Sequence, residues 1–104
     1  MNLRDLLEEE ATGLPGTEPT LEPDGSVTWV RTGRRFAAVT ADGSSAEFAL
    51  DPAVADAAVR TPDVRSSERG HGWVVFAPSD LDDHAADRAV AWLASAHRRA
   101  EPRN

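Results

Sequence analysis

Asp24-Gly25-Ser26-Val27-Thr28-Trp29-Val30-Arg31-Thr32-Gly33-Arg34-Arg35-Phe36-Ala37-Ala38-Val39-Thr40-Ala41-Asp42-Gly43 is the stretch that decides the fold. Two β-prone runs lie between three residue-Gly pairs, and such pairs supply the positive φ angles that tight hairpin turns demand. Side chains alternate along a strand, so Val27 and Trp29 share one face of the first run and Phe36 and Ala38 one face of the second. An antiparallel meander follows. Working outward, residues 17–22 form a strand before it and residues 46–50 one after it, with Phe48 and Leu50 on one face.

The flanks read as helices and further strands. Asn2, with Asp5 three residues on, caps a short helix over residues 2–11 whose apolar side is Leu3, Leu6 and Leu7, and Gly13 follows its end. Asp51-Pro52 starts a second helix with Val54, Ala57 and Ala58 inward, stopped by Thr61-Pro62. Residues 64–68 suit a short strand. Gly72-Trp73-Val74-Val75-Phe76-Ala77-Pro78 is a strand whose unbroken apolar run predicts a central place buried on both faces. Ser79 or Asp80 caps a long helix over residues 81–100, in which Leu81, Ala85, Ala89, Trp92, Leu93, Ala96 and Ala100 form one apolar stripe. The expected fold is α+β: a two-layer sandwich with an antiparallel sheet of about five or six strands, and short N-terminal, short middle and long C-terminal helices on one face. One domain spans residues 1–104, with residues 101–104 frayed.

Composition bounds the function classes. The 104 residues are 40 % apolar with no cysteine, which removes disulfides, thiolate nucleophiles and sulfur-ligated zinc. No apolar run approaches the roughly 18 residues of a membrane span, and the acidic N-terminus is unlike a signal peptide, so a cytoplasmic protein off the membrane is expected. The absence of Lys, Ile, Gln, Tyr and Cys beside abundant Ala and Arg resembles high-GC bacterial coding. The net charge is −7, but residues 1–24 hold seven acids against Arg4, a net of −6, which leaves −1 for the remainder.

Gly13-Leu14-Pro15-Gly16-Thr17-Glu18, Gly33-Arg34-Arg35-Phe36-Ala37, Leu50-Asp51-Pro52, Arg69-Gly70-His71-Gly72-Trp73 and the closing Leu81-Asp82-Asp83 with Leu93-Ala94-Ser95 resemble, in order and spacing, landmarks of the MmcQ/YjbR family over about residues 3–100. The resemblance implies a two-layer fold with helices on one face of an antiparallel sheet, and a DNA-binding role. The chain departs from the family where Ser95-Ala96 replaces Ser-Tyr and Thr20-Leu21-Glu22-Pro23 replaces an aromatic-Gly segment.

No nucleophile elbow, phosphate loop or dinucleotide fingerprint is present, and the acid pairs Glu8-Glu9-Glu10 and Asp82-Asp83 carry no specific acid–base signal, so no enzyme is expected. His71, His84 and His97 do not read as a metal site, and no cofactor or metal is expected. The candidate ligand-binding residues are Arg31, Arg34 and Arg35 around the Thr32-Gly33 turn, with Arg65, Arg69 and His71 before the last strand. If both loops occupy one end of the sheet they form a cationic rim, and arginine forks suit phosphate or carboxylate. Trp29, Trp73 and Trp92 are expected in the core. The leading expectation is a monomeric, non-enzymatic module for nucleic acid or another polyanion, with a dimer left open. Alternatives are a protein-interaction domain working through the open sheet face, its edge or the acidic first helix, and a small-molecule site between helix and sheet.

Overall fold

The computed structural model describes residues 2–101, so the expected fraying of 101–104 falls outside it except at Glu101. The elements run α1 (Leu3–Thr12), β1 (Thr17–Leu21), β2 (Val27–Arg31), β3 (Arg34–Val39), β4 (Ala46–Ala49), α2 (Pro52–Ala58), β5 (Val64–Ser66), β6 (Trp73–Phe76) and α3 (Asp83–Arg99). All six strands join one antiparallel sheet in the order β1-β2-β3-β4-β6-β5. The expected α+β architecture is the one observed. The first four strands are the meander. The β5–β6 hairpin then adds with β6 against β4, so β6 lies inside the sheet, one strand from its edge.

The register explains which side chains meet the helices. Val27, Trp29, Ala37, Val39, Ala46, Phe48, Val74 and Phe76 form one core with Leu3, Leu7 and Ala11 of α1 and Ala85, Ala89, Leu93 and Ala96 of α3. Thr28, Ala38, Glu47, Ala49, Trp73 and Val75 pair across the strands on the opposite face. Strict alternation would put Phe36 on that opposite face with Ala38. A bulge corrects it: Trp29 pairs with Ala37 but Val30 with Arg35, so Phe36 has no cross-strand partner and joins Ala37 in the core, fully buried. The same bulge sends Arg35 to the helix-free face.

α3 lies over β3 and β4, and from it Trp92 edges onto Phe76 of β6 with ring centroids 5.2 Å apart and lies 6.2 Å from Phe48. Removing Phe36, Phe48 or Phe76 to Ala would cost about 3–5 kcal/mol each, since all three are sealed from water. The cap of α3 is Asp82, whose carboxylate accepts the Ala85 N–H at 2.9 Å, not Ser79 or Asp80. In α2 the buried residues are Ala55 and Ala58, whereas Val54 points outward. Gly72 is demanded by packing. A Cβ there would stand 2.5 Å from the Leu50 carbonyl oxygen, and φ is +84°.

At one end of the sheet, α1 is tied to two turns. Arg4 donates to the Gly25 and Ala41 carbonyls, both at 3.0 Å, and to Glu8 at 2.9 Å, while the Leu3 N–H reaches the Gly43 carbonyl. Asp24 and Asp42 order those turns from within. The Ser26 hydroxyl, then its N–H, hold the Asp24 carboxyl below the ordinary 3.8, and the Ser44 N–H and hydroxyl do the same for Asp42.

Candidate functional site

The register puts the β2–β3 turn and the loop of residues 67–72 at the same end of the sheet, since Arg34 opens β3 where β6 opens at Trp73, opposite Ala49. The six expected residues nevertheless divide three ways. Arg35 follows the bulge to the helix-free face. There Arg69 donates to Glu47 at 2.9 Å and lies 5.4 Å from the Trp73 ring centre, and Glu47 also accepts from the Ser67 hydroxyl. Arg35 and Arg69 border a hollow of about 360 Å³ with Asp24 and Thr28. Arg65 stands on the same face, exposed, opposite Val75. His71 borders a separate hollow between α2 and the β5–β6 hairpin, beside Asp56 and Trp73. Trp73 is therefore half-buried and serves as a platform for Arg69, unlike Trp29, which is core.

Arg31 and Arg34 lie on the helix side of the same end. Arg31 Nη1 donates to the His97 carbonyl at 2.8 Å and faces His97 Nδ1 at 3.4 Å. His97 Nε2 lies 2.7 Å from the Pro15 carbonyl, an acceptor only, so Nε2 carries the proton and Nδ1 is the acceptor for Arg31. With its edge against Phe36 at 5.6 Å and only 6 % exposure, His97 is a buried pin between α3, β2 and the α1–β1 loop. Nothing in the sequence reading assigned it a role. The signal was its spacing, four residues after Leu93 on the apolar stripe.

That pin docks the C-terminal end of α3 beside the β2–β3 turn. Arg98 and Arg99, basic residues of the last turn of α3, thereby join Arg34 around an open cleft of about 980 Å³. Thr32 and Ser95 add hydroxyls, and Asp51 and Glu101 are its acids. Asp51 is committed to capping α2, accepting the Ala53 N–H at 3.0 Å. All three arginines are exposed, and the ion pairs among the described residues are elsewhere, Arg4 with Glu8 and Arg69 with Glu47. The Ala96, His97 and Arg98 carbonyls near the end of α3 are already satisfied by the Ala100 and Glu101 N–H groups and by Arg31. The guanidinium donors at the cleft are thus not consumed by the helix end. Such an arrangement can hold an anion by forked N–H donation, with net charge of +1 from the three arginines and two acids.

The helix-free face offers less to a protein partner. Ala38, Ala49 and Val75 are buried beneath the longer side chains there. Among the described residues no group of three or more His, Cys, Asp or Glu converges as a metal site would require, and no helix is long and apolar enough to cross a membrane.

No family model matches the chain, and no curated protein matches it. A solved structure that it resembles is that of a structural-genomics target from Pseudomonas syringae, with a TM-score of 0.69 at 11 % identity, covering 97 % of this chain and all of that one. At that identity the likeness concerns the fold alone.

Proposed function

We propose that this chain is a non-enzymatic, monomeric, cytoplasmic binding module for nucleic acid, and that it takes the phosphate backbone in the cleft of Arg34, Arg98 and Arg99. One observation carries the reading: three exposed arginines from two distant segments face one cleft, with no ion pair to any described acid. The MmcQ/YjbR-like landmarks point to the same ligand class. With residues 1–24 at net −6, an extended polyanion is repelled over much of the surface, so contact is confined to this corner and to few phosphates. A single strand fits that limit better than a duplex. Neutralising about three phosphates gives a log–log salt slope near −2 and weak affinity, roughly 10⁻⁴ M.

Fluorescence anisotropy of a labelled single-stranded oligonucleotide, titrated at increasing salt, tests this. Arg34→Glu with Arg98→Glu should weaken binding about tenfold or more, while Arg35→Glu with Arg65→Glu, on the other face, should change it little. No binding at the lowest salt, or equal binding by the cleft variant, refutes the proposal.

A further inference from the structure

A second concavity, remote from the arginine cleft, differs from it in chemistry. Because α1 packs against α3 and β3, the helix-side face of β1 is left without a helix over it. Between α1 and this edge strand runs a groove of about 430 Å³. Ala11, Pro19, Leu21, Val27 and Trp29 line it; Trp29 and Val27 are buried floor, whereas Leu21 is 70 % exposed, far more than any other large apolar side chain described. Thr17 also borders it. The Thr17 hydroxyl oxygen is shut off from water and has no hydrogen-bond partner among the described residues. An orphaned hydroxyl is costly to bury and stands out among the described side chains, whose other buried polar atoms are paired. Thr17 itself is only half-buried, so a rotation about its Cα–Cβ bond would offer the hydroxyl to an occupant.

We propose that this groove is a binding site for a small uncharged amphipathic molecule: an alkyl or aryl body on the Leu21, Pro19 and Trp29 surfaces, carrying one hydroxyl or similar group for Thr17. The volume lies in the usual range for small-molecule sites, roughly 300–1,000 Å³. The charges at its rim argue for a neutral ligand. Arg4 is spent on Glu8 and on the Gly25 and Ala41 carbonyls, so neither a cationic nor an anionic head group finds a free counter-charge. An added peptide strand is disfavoured by the backbone. The Glu22 N–H to Ser26 carbonyl bond sets the alternation so that Thr17, Pro19 and Leu21 face away from β2; Pro19 has no N–H, and that of Thr17 is given to the Leu14 carbonyl. Leu21 alone is left to donate.

The test is an NMR titration of the ¹⁵N-labelled chain with 1-octanol. Saturable shifts are expected at the Thr17 and Leu21 amides and the Trp29 indole, with a dissociation constant below about 1 mM. Thr17→Val keeps the shape, removes the orphaned hydroxyl without unfolding the chain, and should weaken octanol about fivefold, the worth of one hydrogen bond. Leu21→Glu, at an exposed position, should abolish binding, and octanoate should bind the groove more weakly than octanol. Shifts that fail to saturate, octanol binding unchanged by Thr17→Val, or octanoate held in the groove as tightly as octanol would each overturn the proposal.

Discussion

Thr32 has φ +52° and Gly33 φ +78°, the pair of positive values that a two-residue hairpin turn between twisted strands requires. Glycine adopts it freely; a β-branched residue is strained there, at about 1–2 kcal/mol. Asn, whose short amide tolerates the left-handed region, is the residue this turn favours. Thr32→Asn should therefore raise stability by about 1 kcal/mol, seen as a melting temperature roughly 4–8 °C higher. An unchanged or lower melting temperature would mean that the threonine methyl or hydroxyl contributes something the turn geometry does not reveal. Thr32 borders the arginine cleft, so the same variant in the oligonucleotide titration asks whether the strain positions Arg34 for binding.

Among the elements, β1 and β5 are the sheet's two edges, where unpaired backbone groups invite association. Three residues of β5 offer little to pair with. The longer β1 is protected by Pro19 at its centre, on the outward-facing alternation. Pro19→Val restores an outward N–H flanked by the exposed Leu21. Sizing with light scattering should then show more concentration-dependent self-association in the variant than in the native chain, and a variant whose size matches that of the native chain would remove Pro19 from this role. The elements themselves were largely legible in the sequence. Turn pairs at Asp24-Gly25, Thr32-Gly33 and Asp42-Gly43 mark the meander, Asn2 and Asp51 cap the helices they precede, and the α3 stripe finds Leu93 and Ala96 in the core. Two details were hidden. The bulge at Phe36 depends on which cross-strand partner Arg35 takes, and the choice of Asp82 as cap depends on where α3 meets the sheet; both are set by packing between distant segments.

For the whole molecule, the same limit explains the site. The sequence brings Arg31, Arg34 and Arg35 within one turn, but a bulge sends Arg35 across the sheet, and the docking of α3, through its core stripe and the His97 pin, brings Arg98 and Arg99 to Arg34. The sheet thus has a cationic end, where α3 closes on the β2–β3 turn, and an opposite end, where Arg4 ties α1 to the turns ordered by Asp24 and Asp42. That second end makes acid stability a property of the fold's closure. Both carboxyls titrate below the ordinary 3.8 when folded, because the charged forms accept serine N–H and hydroxyl bonds. A group whose folded pKa is depressed contributes stability in full above its unfolded value and loses it as pH falls through the folded value. Their contribution should hold down to about pH 4 and disappear below it. Asp42→Asn, which keeps one acceptor oxygen but no charge, should lower the melting temperature at neutral pH and flatten its decline between about pH 4 and pH 2. Parallel curves for variant and native chain across that window would show that acid acts elsewhere, leaving the Asp42 turn a bystander to the closure of α1.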